Sequence, residues 1–237
     1  MHFPLRWLAA PLPILALLPT AAWAQRTPLP LKDVPLNELA RDTQRSYLGK
    51  DTMELVWVIP PVYWEVSAEQ QQNLSDADRK QFIAQLDDYL LVAMVRGKVG
   101  MAGIDEFYDG ETMFGGLRLV DTAGTTHEPI PPGRIPPRLK NLLSILRPVM
   151  ANMLGPMGDN MHFAVFNARD GKGKPLIDPR ADGRVQIRTS LNTYAFRTPL
   201  GSLLPTRHDA QTGESFPGDY HYNPYTGGAL QDSAQPR

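Results

Sequence analysis

The sequence predicts a mixed, mainly β fold: a β-sandwich-like antiparallel domain with two inserted helices. Six or seven short segments are rich in β-branched and aromatic residues and are bounded by Pro, Gly, Asn or Asp, as strands are. Two other segments place apolar residues at helical spacing. The strand spacing in the second half favours the sandwich over the alternative, an α+β domain in which helices cover an antiparallel sheet.

The chain begins with a pattern typical of a secretory signal peptide, which we assign to residues 1–24. Arg6 precedes the apolar run 8–18, and Ala22-Trp-Ala24 offers the small residues that a signal peptidase requires. The apolar run of about 11 residues is short for a membrane span, which needs roughly 20. We therefore expect a periplasmic or secreted protein with no transmembrane segment after cleavage.

Composition excludes several classes of function. The chain has 24 Lys and Arg against 25 Asp and Glu, so no basic excess is available to bind nucleic acid. The absence of cysteine excludes a disulfide framework, a thiolate metal site and a cysteine nucleophile. The common nucleotide-binding and hydrolase motifs are also absent from the sequence, which disfavours those classes.

The N-terminal half is expected to begin with an arm and two strands. Residues 25–50 are proline-bearing and predict an N-terminal arm with one helical turn. A globular domain follows over residues 51–205. Its first strand, 53–59, ends at two prolines, and residues 62–66 predict a second, short strand.

A helix and two further strands are expected next. Ser75 is a suitable cap for a helix over 76–86, because its hydroxyl can accept from the first free amides and acidic residues follow in the first turn. Strands are predicted from Tyr89 to Gly97 and over 112–120. Asp121 to Gly124 predicts a turn, since Asp bonds its own backbone and Gly tolerates positive φ.

The second half predicts a long helix and a hairpin. A proline-dense loop, 127–137, precedes an apolar helical stripe over 139–154 that ends at Gly155-Pro156. Pro148 inside this stripe predicts a kink or a break, since proline donates no backbone hydrogen bond. Strands are expected at 161–166, 184–188 and 191–196. The residues 206–237 contain few aliphatic side chains and predict an irregular appendage, disordered at its end.

A group of soft ligands lies at the end of the long helix. Thioethers and imidazole suit Cu(I), and the residues concerned are Met150, Met153, Met157, Met161 and His162. The alternative is that the methionines fill the core, because the first two share the stripe of the leucines.

Two related turns, 209–213 and 223–227, lie 14 residues apart in the appendage. They resemble the Cys-Pro-x-x-Gly turns of zinc ribbons, but Asp209 and Asn223 occupy the cysteine positions. One interpretation is an oxygen and nitrogen metal site formed by His208, Asp209, Asp219 and His221. The alternative is a metal-free pair of turns held by Phe216, Tyr220, Tyr222 and Tyr225.

The third candidate site is one for acid–base catalysis. A histidine near a carboxylate can transfer protons, and the residues that could meet in a cleft are His127, Glu128, Asp159, Asn160 and His162.

Residues 142–163, the segment Pro199-Leu-Gly-Ser-Leu-Leu-Pro205 and the paired Thr-Gly turns resemble a family of exported bacterial proteins of unknown function. Some of its members end in a zinc-knuckle-like, cysteine-bearing pair of turns. The resemblance implies a bacterial envelope setting and brings no catalytic residues with it. Asp209 and Asn223 depart from the metal site of that family.

These observations favour a non-enzymatic binding or envelope-accessory protein, whose partner is an envelope protein or a small ligand. The aromatic segment 57–64 and the tyrosine-rich tail are the expected contact surfaces. No cofactor is expected, apart from a possible metal ion. A metal-handling protein is one alternative. The other is a hydrolase with a dispersed His/Asp site, which requires a pocket that joins His127 or His162 to a carboxylate.

Overall fold

A computed structural model describes residues 26–232, and the side chains of residues 150–154 are outside the description. The predicted signal peptide and the end of the appendage therefore lie outside the described residues. Six α-helices occur in the described part: α1 Leu36–Asp42, α2 Pro61–Glu69, α3 Asp76–Leu86, α4 Gly110–Phe114, α5 Pro137–Leu154 and α6 Pro156–Asp159. None of the helices in this range has the length and apolarity needed to cross a membrane.

The strands form three antiparallel sheets. Their bounds are β1 Gln44–Leu48, β2 Thr52–Ile59, β3 Tyr89–Gly100, β4 Gly103–Phe107, β5 Arg118–Val120, β6 Thr126–His127, β7 His162–Asn167, β8 Gly183–Arg188, β9 Thr193–Thr198, β10 Arg207–His208, β11 Ser215–Phe216 and β12 Gln231–Asp232. The central sheet has the order β1-β2-β3-β4, and β7 pairs with the first half of β3. The outer sheet has the order β6-β5-β8-β9, and the tail sheet the order β11-β10-β12.

The molecule has three layers because both faces of the central sheet are apolar. Trp57 and Leu91 point to one face and pack on α1, α2, α3 and α5, whereas Val58 and Leu90 point to the other face and pack on the outer sheet. Alternate residues of a strand point to opposite faces, so a strand that is apolar at every position is covered on both sides. The mixed, largely β architecture with antiparallel sheets is confirmed, and it combines the sandwich with the alternative of helices on a sheet.

The structure confirms the helices and strands that the sequence predicts from strong local patterns. The helix 76–86 is confirmed, and the Ser75 hydroxyl accepts from the Asp78 amide at 3.2 Å. The expected strands at 53–59, 161–166, 184–188 and 191–196 correspond to β2, β7, β8 and β9. α5 continues through Pro148 to Leu154, so of the expected kink or break the break is absent, and the helix ends before Gly155 as predicted.

Several elements differ from the expectation. Residues 62–66 are helical in α2, because Pro61 suits the first position of a helix. The expected strand 112–120 is a short helix, α4, followed by β5. Six α-helices occur within residues 26–232, rather than two. The expected arm supplies α1 and the edge strand β1, and Leu39 in α1 is fully buried.

A buried polar network joins the central sheet to the outer sheet. Glu54 Oε2 accepts from Nε and Nη2 of Arg96 at 2.8 and 2.5 Å. Glu54 Oε1 accepts from the hydroxyls of Thr189 and Tyr194, both at 2.8 Å. Burial and the neighbouring Glu54 raise the pKa of Tyr194, so it remains a neutral donor. Both carboxylate oxygens are therefore satisfied, as buried charge requires.

Candidate functional site

A polar cavity of about 300 Å³ opens between the β5–β6 hairpin and the turn that follows β7. Most of the residues that line it carry polar side chains, and the apolar ones are Phe166 and Leu176. The polar residues and the glycine are Thr126, His127, Glu128, Asn167, Arg169, Asp170 and Gly171. The cavity is large enough for a small ligand, and its walls favour a polar one.

His127 is held in place by a carboxylate across the hairpin. Its Nε2 lies 2.8 Å from Oδ2 of Asp121. Asp121 is fixed in turn, because its Oδ1 accepts from the amides of Ala123 and Thr125 at 2.8 and 2.9 Å. Gly124, with φ of 83°, closes this turn. The turn predicted from Asp121 to Gly124 is thus confirmed, and it positions the histidine.

Electrostatics keep Asp121 ionised. Burial acts to raise the pKa of Asp121. The hydrogen bonds from His127, Thr125 and Ala123, together with the charge of His127, outweigh this effect, so the pKa lies below its usual range. An ionised carboxylate only accepts, so Nε2 of His127 carries the hydrogen. In the neutral imidazole, Nδ1 is then the acceptor and can take a proton from a bound molecule.

The other charged groups at the cavity differ in how far they are already engaged. Glu128 pairs with Arg118 at 2.8 Å. Asp170 Oδ1 accepts from the amides of Lys172 and Lys174, which lowers the pKa of this carboxyl. Among residues 26–232, the one side-chain hydrogen bond that Arg169 donates is a long one of 3.3 Å to the Gly173 carbonyl. The guanidinium of Arg169 and the imidazole of His127 are therefore the groups best placed to bind a ligand.

The five residues predicted to meet in one cleft are divided between two places. His127 and Glu128 line the cavity. His162 is the first residue of β7. Burial and the positive charge of Arg147 lower the pKa of this imidazole, and the opposing effect of Asp109 is smaller. Asp159 and Asn160 lie at the end of α6, where the Asp159 carbonyl accepts from Arg147 and the Asn160 amide donates to the Pro156 carbonyl.

In the predicted copper site, the methionines whose side chains are described belong to the core. Met161 and Met157 pack in the helix-side core, while the side chains of Met150 and Met153 are outside the description. Met161 packs on the helix side of the central sheet, whereas the adjacent His162 lies close to Gly110 of α4. Successive residues of an extended chain point in opposite directions, so these two side chains do not converge on one ion.

The two turns of the appendage have the same backbone and hydrogen bonds. Oδ1 of Asp209 accepts from the amides of Gln211 and Thr212, and Oδ1 of Asn223 accepts from the amides of Tyr225 and Thr226. In each turn the threonine hydroxyl accepts from the amide two residues later, and the glycine has a φ near 75°. The likeness inferred from the sequence therefore extends to the geometry.

A direct hydrogen bond joins the turns. The Asn223 amide donates to Oδ2 of Asp209 at 2.6 Å, and both residues are buried. His208 pairs in the tail sheet with Ser215 and Gln231, while Nδ1 of His221 lies 3.2 Å from Arg207. Within residues 26–232, no three side chains of His, Asp or Glu converge as metal ligands.

The two expected contact surfaces differ in exposure. Trp57, Tyr63 and Trp64 are buried and contact each other edge to face, so the aromatic segment belongs to the core. The expectation of a surface at 57–64 is wrong, because β2 and α2 turn these rings toward the helices. In the tail, Tyr222 and Tyr225 are exposed, the latter by 83%.

Sequence reasoning missed Asp121, Asn167 and Arg169 as members of the site. The turn signal at Asp121 and the histidine six positions later are the local cue for their contact, since a tight hairpin brings such residues together. Asn167 and Arg169 give no comparable cue, because β7 reaches this hairpin only through the packing of two sheets. In comparisons with family models, curated proteins and solved structures, nothing matches the chain.

Proposed function

We propose that this chain is an exported binding protein, periplasmic or secreted, that holds a small polar ligand in the cavity beside Asp121 and His127. One observation carries the proposal: a polar cavity of about 300 Å³ has an imidazole on its wall that a carboxylate orients at 2.8 Å. A ligand site combines a concave shape with a few fixed polar groups, and this cavity has both. Export is supported by the signal-peptide pattern of residues 1–24.

The guanidinium of Arg169 favours a ligand with an acidic group, because the carboxylates of Glu128 and Asp170 in the lining already have partners. Arg169 supplies donors and Nδ1 of His127 supplies an acceptor, whereas the carboxylate of Glu128 is already paired with Arg118. A guanidinium binds a carboxylate or phosphate through parallel hydrogen bonds, which makes Arg169 the expected anchor. Asn167 adds an amide that can bind a hydroxyl of the same ligand.

The test is a calorimetric titration of the protein with a panel of small hydroxy acids and sugar phosphates. At least one compound should bind, and both His127→Gln and Arg169→Gln should weaken its binding by about tenfold or more, since the first removes an oriented acceptor and the second a charged donor. His208→Gln is the matched control, because His208 lies in the tail sheet. Equal affinity of all three variants, or no binding by any compound, would refute the proposal.

Acid–base catalysis on the bound molecule is a second candidate, and the contact between Asp121 and His127 favours it. A carboxylate that holds an imidazole in one tautomer prepares it as a general base, which contributes about 10²–10⁴-fold to a rate. Hydrolysis of nitrophenyl esters and phosphates by the protein tests this function. Activity should fall by about that factor in both Asp121→Asn and His127→Gln, whereas a pure binding protein shows no turnover to lose.

A further inference from the structure

A second cavity, of about 220 Å³, lies where α1, the end of β9 and the tail meet. It shares no lining residue with the cavity beside His127. Its charged lining residues carry both signs: Arg41, Arg45 and Arg197 against Asp42 and Asp219.

The acidic side of this cavity is built by close backbone packing. Asp42 Oδ2 accepts from the Ser202 amide at 2.8 Å, which fixes its carboxylate. A Cβ atom at Gly201 would overlap Oδ1 of Asp219, so glycine alone allows Asp219 to lie against the chain here. Two carboxylates are thereby held on one side of the cavity.

Asp219 is poorly neutralised. Its nearest guanidinium nitrogen, Nη2 of Arg197, lies 3.8 Å from Oδ2, too far for a hydrogen bond. Burial and the charge of Asp42 raise the pKa of Asp219, against the lowering effects of its own amide, Arg197 and His221. A cationic ligand group beside Asp42 and Asp219 would relieve this repulsion.

The arginines that line the cavity have guanidinium N–H groups left for a ligand. Arg45 is held in place, since its guanidinium lies 4.8 Å above the Phe196 ring and donates to the Asp42 carbonyl at 3.0 Å. Arg41 uses Nη1 for both oxygens of Glu38, at 2.9 Å. Each guanidinium has five N–H donors, so these contacts leave donors for an anionic group.

We propose that this cavity binds a small zwitterion of the amino-acid type. The ligand carboxylate contacts Arg197 and Arg45, and its ammonium group contacts Asp219 and Asp42. The volume admits a small molecule, and the juxtaposed charges match the two ends of a zwitterion. This inference concerns a different cavity and does not rest on the function proposed above.

Calorimetric titration with L-alanine tests the site, with acetate and ethylammonium as probes of each half alone. L-Alanine should bind about tenfold or more tightly than either half, because only the whole zwitterion satisfies both sides. Arg197→Gln and Asp219→Asn should each weaken L-alanine by a similar factor. Arg188→Gln is the control, since Arg188 is exposed on β8 and does not line the cavity.

Two outcomes would overturn the proposal. If acetate binds as tightly as L-alanine, the cavity is a simple anion site, and if L-alanine does not bind, it is no ligand site of this class. Thermal unfolding of each variant separates lost contacts from misfolding. Arg197 is largely exposed and Asp219→Asn keeps the side-chain shape, so both variants are expected to fold.

Discussion

Glu54 is the carboxylate on which the contact between the central and outer sheets depends. It is fully buried and has four hydrogen bonds, two from Arg96 and one each from Thr189 and Tyr194. Arg96 Nη1 also donates to the Ser190 hydroxyl at 3.1 Å. The network fixes the β8–β9 hairpin against β2 and β3, which a purely apolar contact would leave free to slide.

Replacing Glu54 with Gln should lower the free energy of unfolding by about 3–5 kcal/mol, because the buried guanidinium of Arg96 loses its counter-charge. Chemical denaturation monitored by tryptophan fluorescence measures the change. The double variant Glu54→Leu, Arg96→Met should recover most of the loss, since it leaves no buried charge. A loss below 1 kcal/mol in the single variant would mean that solvent reaches this pair.

Asp121 makes the stability of the protein depend on pH. Its folded-state pKa lies below the usual value of about 3.9, so its contribution is present above about pH 4 and is lost as the pH falls through the lower, folded pKa. Asp121→Asn should therefore lower Tm near pH 7, and the difference from the parent should shrink in acid. Asp182→Asn, an exposed change, is the control for the scan. A Tm difference that stays constant across the pH range would contradict this prediction.

Asn223 joins the two turns of the tail through its hydrogen bond to Asp209. Asn223→Asp would set two carboxylates against each other at the contact with Asp209, and we expect faster amide exchange at Gly213 and Gly227. Nuclear magnetic resonance measures these rates. Exchanging the pair, as Asp209→Asn with Asn223→Asp, should restore slow exchange, while Asn37→Asp on the surface should have no effect. Unchanged exchange in the single variant would mean that the turns hold without this bond.

At the scale of elements, α1 and β1 show that the N-terminal segment belongs to the fold. β1 pairs along its whole length with β2, and the Trp57 indole donates to the Thr43 hydroxyl at 3.1 Å. Arg26 extends the connection to the tail, because it pairs with Asp232 at 2.9 Å and donates to the carbonyls of Pro205 and Gly218. α1 and β1, which lie in the expected arm, therefore pack against the segment that follows them.

Leu39→Ala tests this integration. Leu39 is fully buried in α1, and its truncation should cost about 2–5 kcal/mol of unfolding free energy. Leu48→Ala is the matched control, since Leu48 at the end of β1 is 76% exposed and should change stability by no more than about 0.5 kcal/mol. Equal and small effects in denaturant titrations would show that α1 is a detachable arm.

The helices and strands that the sequence predicts well have strong local causes. The Ser75 cap and the acidic first turn define α3, and the alternation of Arg184 to Arg188 defines β8. α2 was missed because Val62 to Val66 are residues that strands favour, yet burial against α1 and α3 stabilises them as a helix. The sequence of β4 contains no comparable pattern. This strand forms because β3 extends to Gly100 and its end pairs with β4.

At the scale of the whole molecule, the central sheet organises both candidate cavities. The cavity beside His127 lies where β7 meets the outer sheet, and the second one lies where α1 meets the tail. The first cavity needs the central and outer sheets to be assembled, and the second needs α1, β9 and the tail, so neither lies within one element. Ligand binding at either cavity should therefore stabilise the folded chain as a unit.

Metal removal should leave the protein intact. A direct hydrogen bond between Asn223 and Asp209 joins the two turns of the tail, so their contact is made by the protein itself. We expect the same Tm before and after dialysis against EDTA, measured by calorimetry. A fall of Tm in EDTA that added Zn²⁺ or Cu²⁺ reverses would contradict this prediction and support the metal-handling alternative.

The sequence by itself determined the mixed, antiparallel fold class, α3 with its cap, β2, and the turn at Asp121. These follow from periodicity and from hydrogen bonds between residues a few positions apart, which a single segment encodes. Tertiary structure alone decided that Glu54 meets Arg96, 42 positions away, and that Arg169 faces His127. Such contacts arise when separate strands and layers pack together, and no local pattern specifies which distant polar residues then meet.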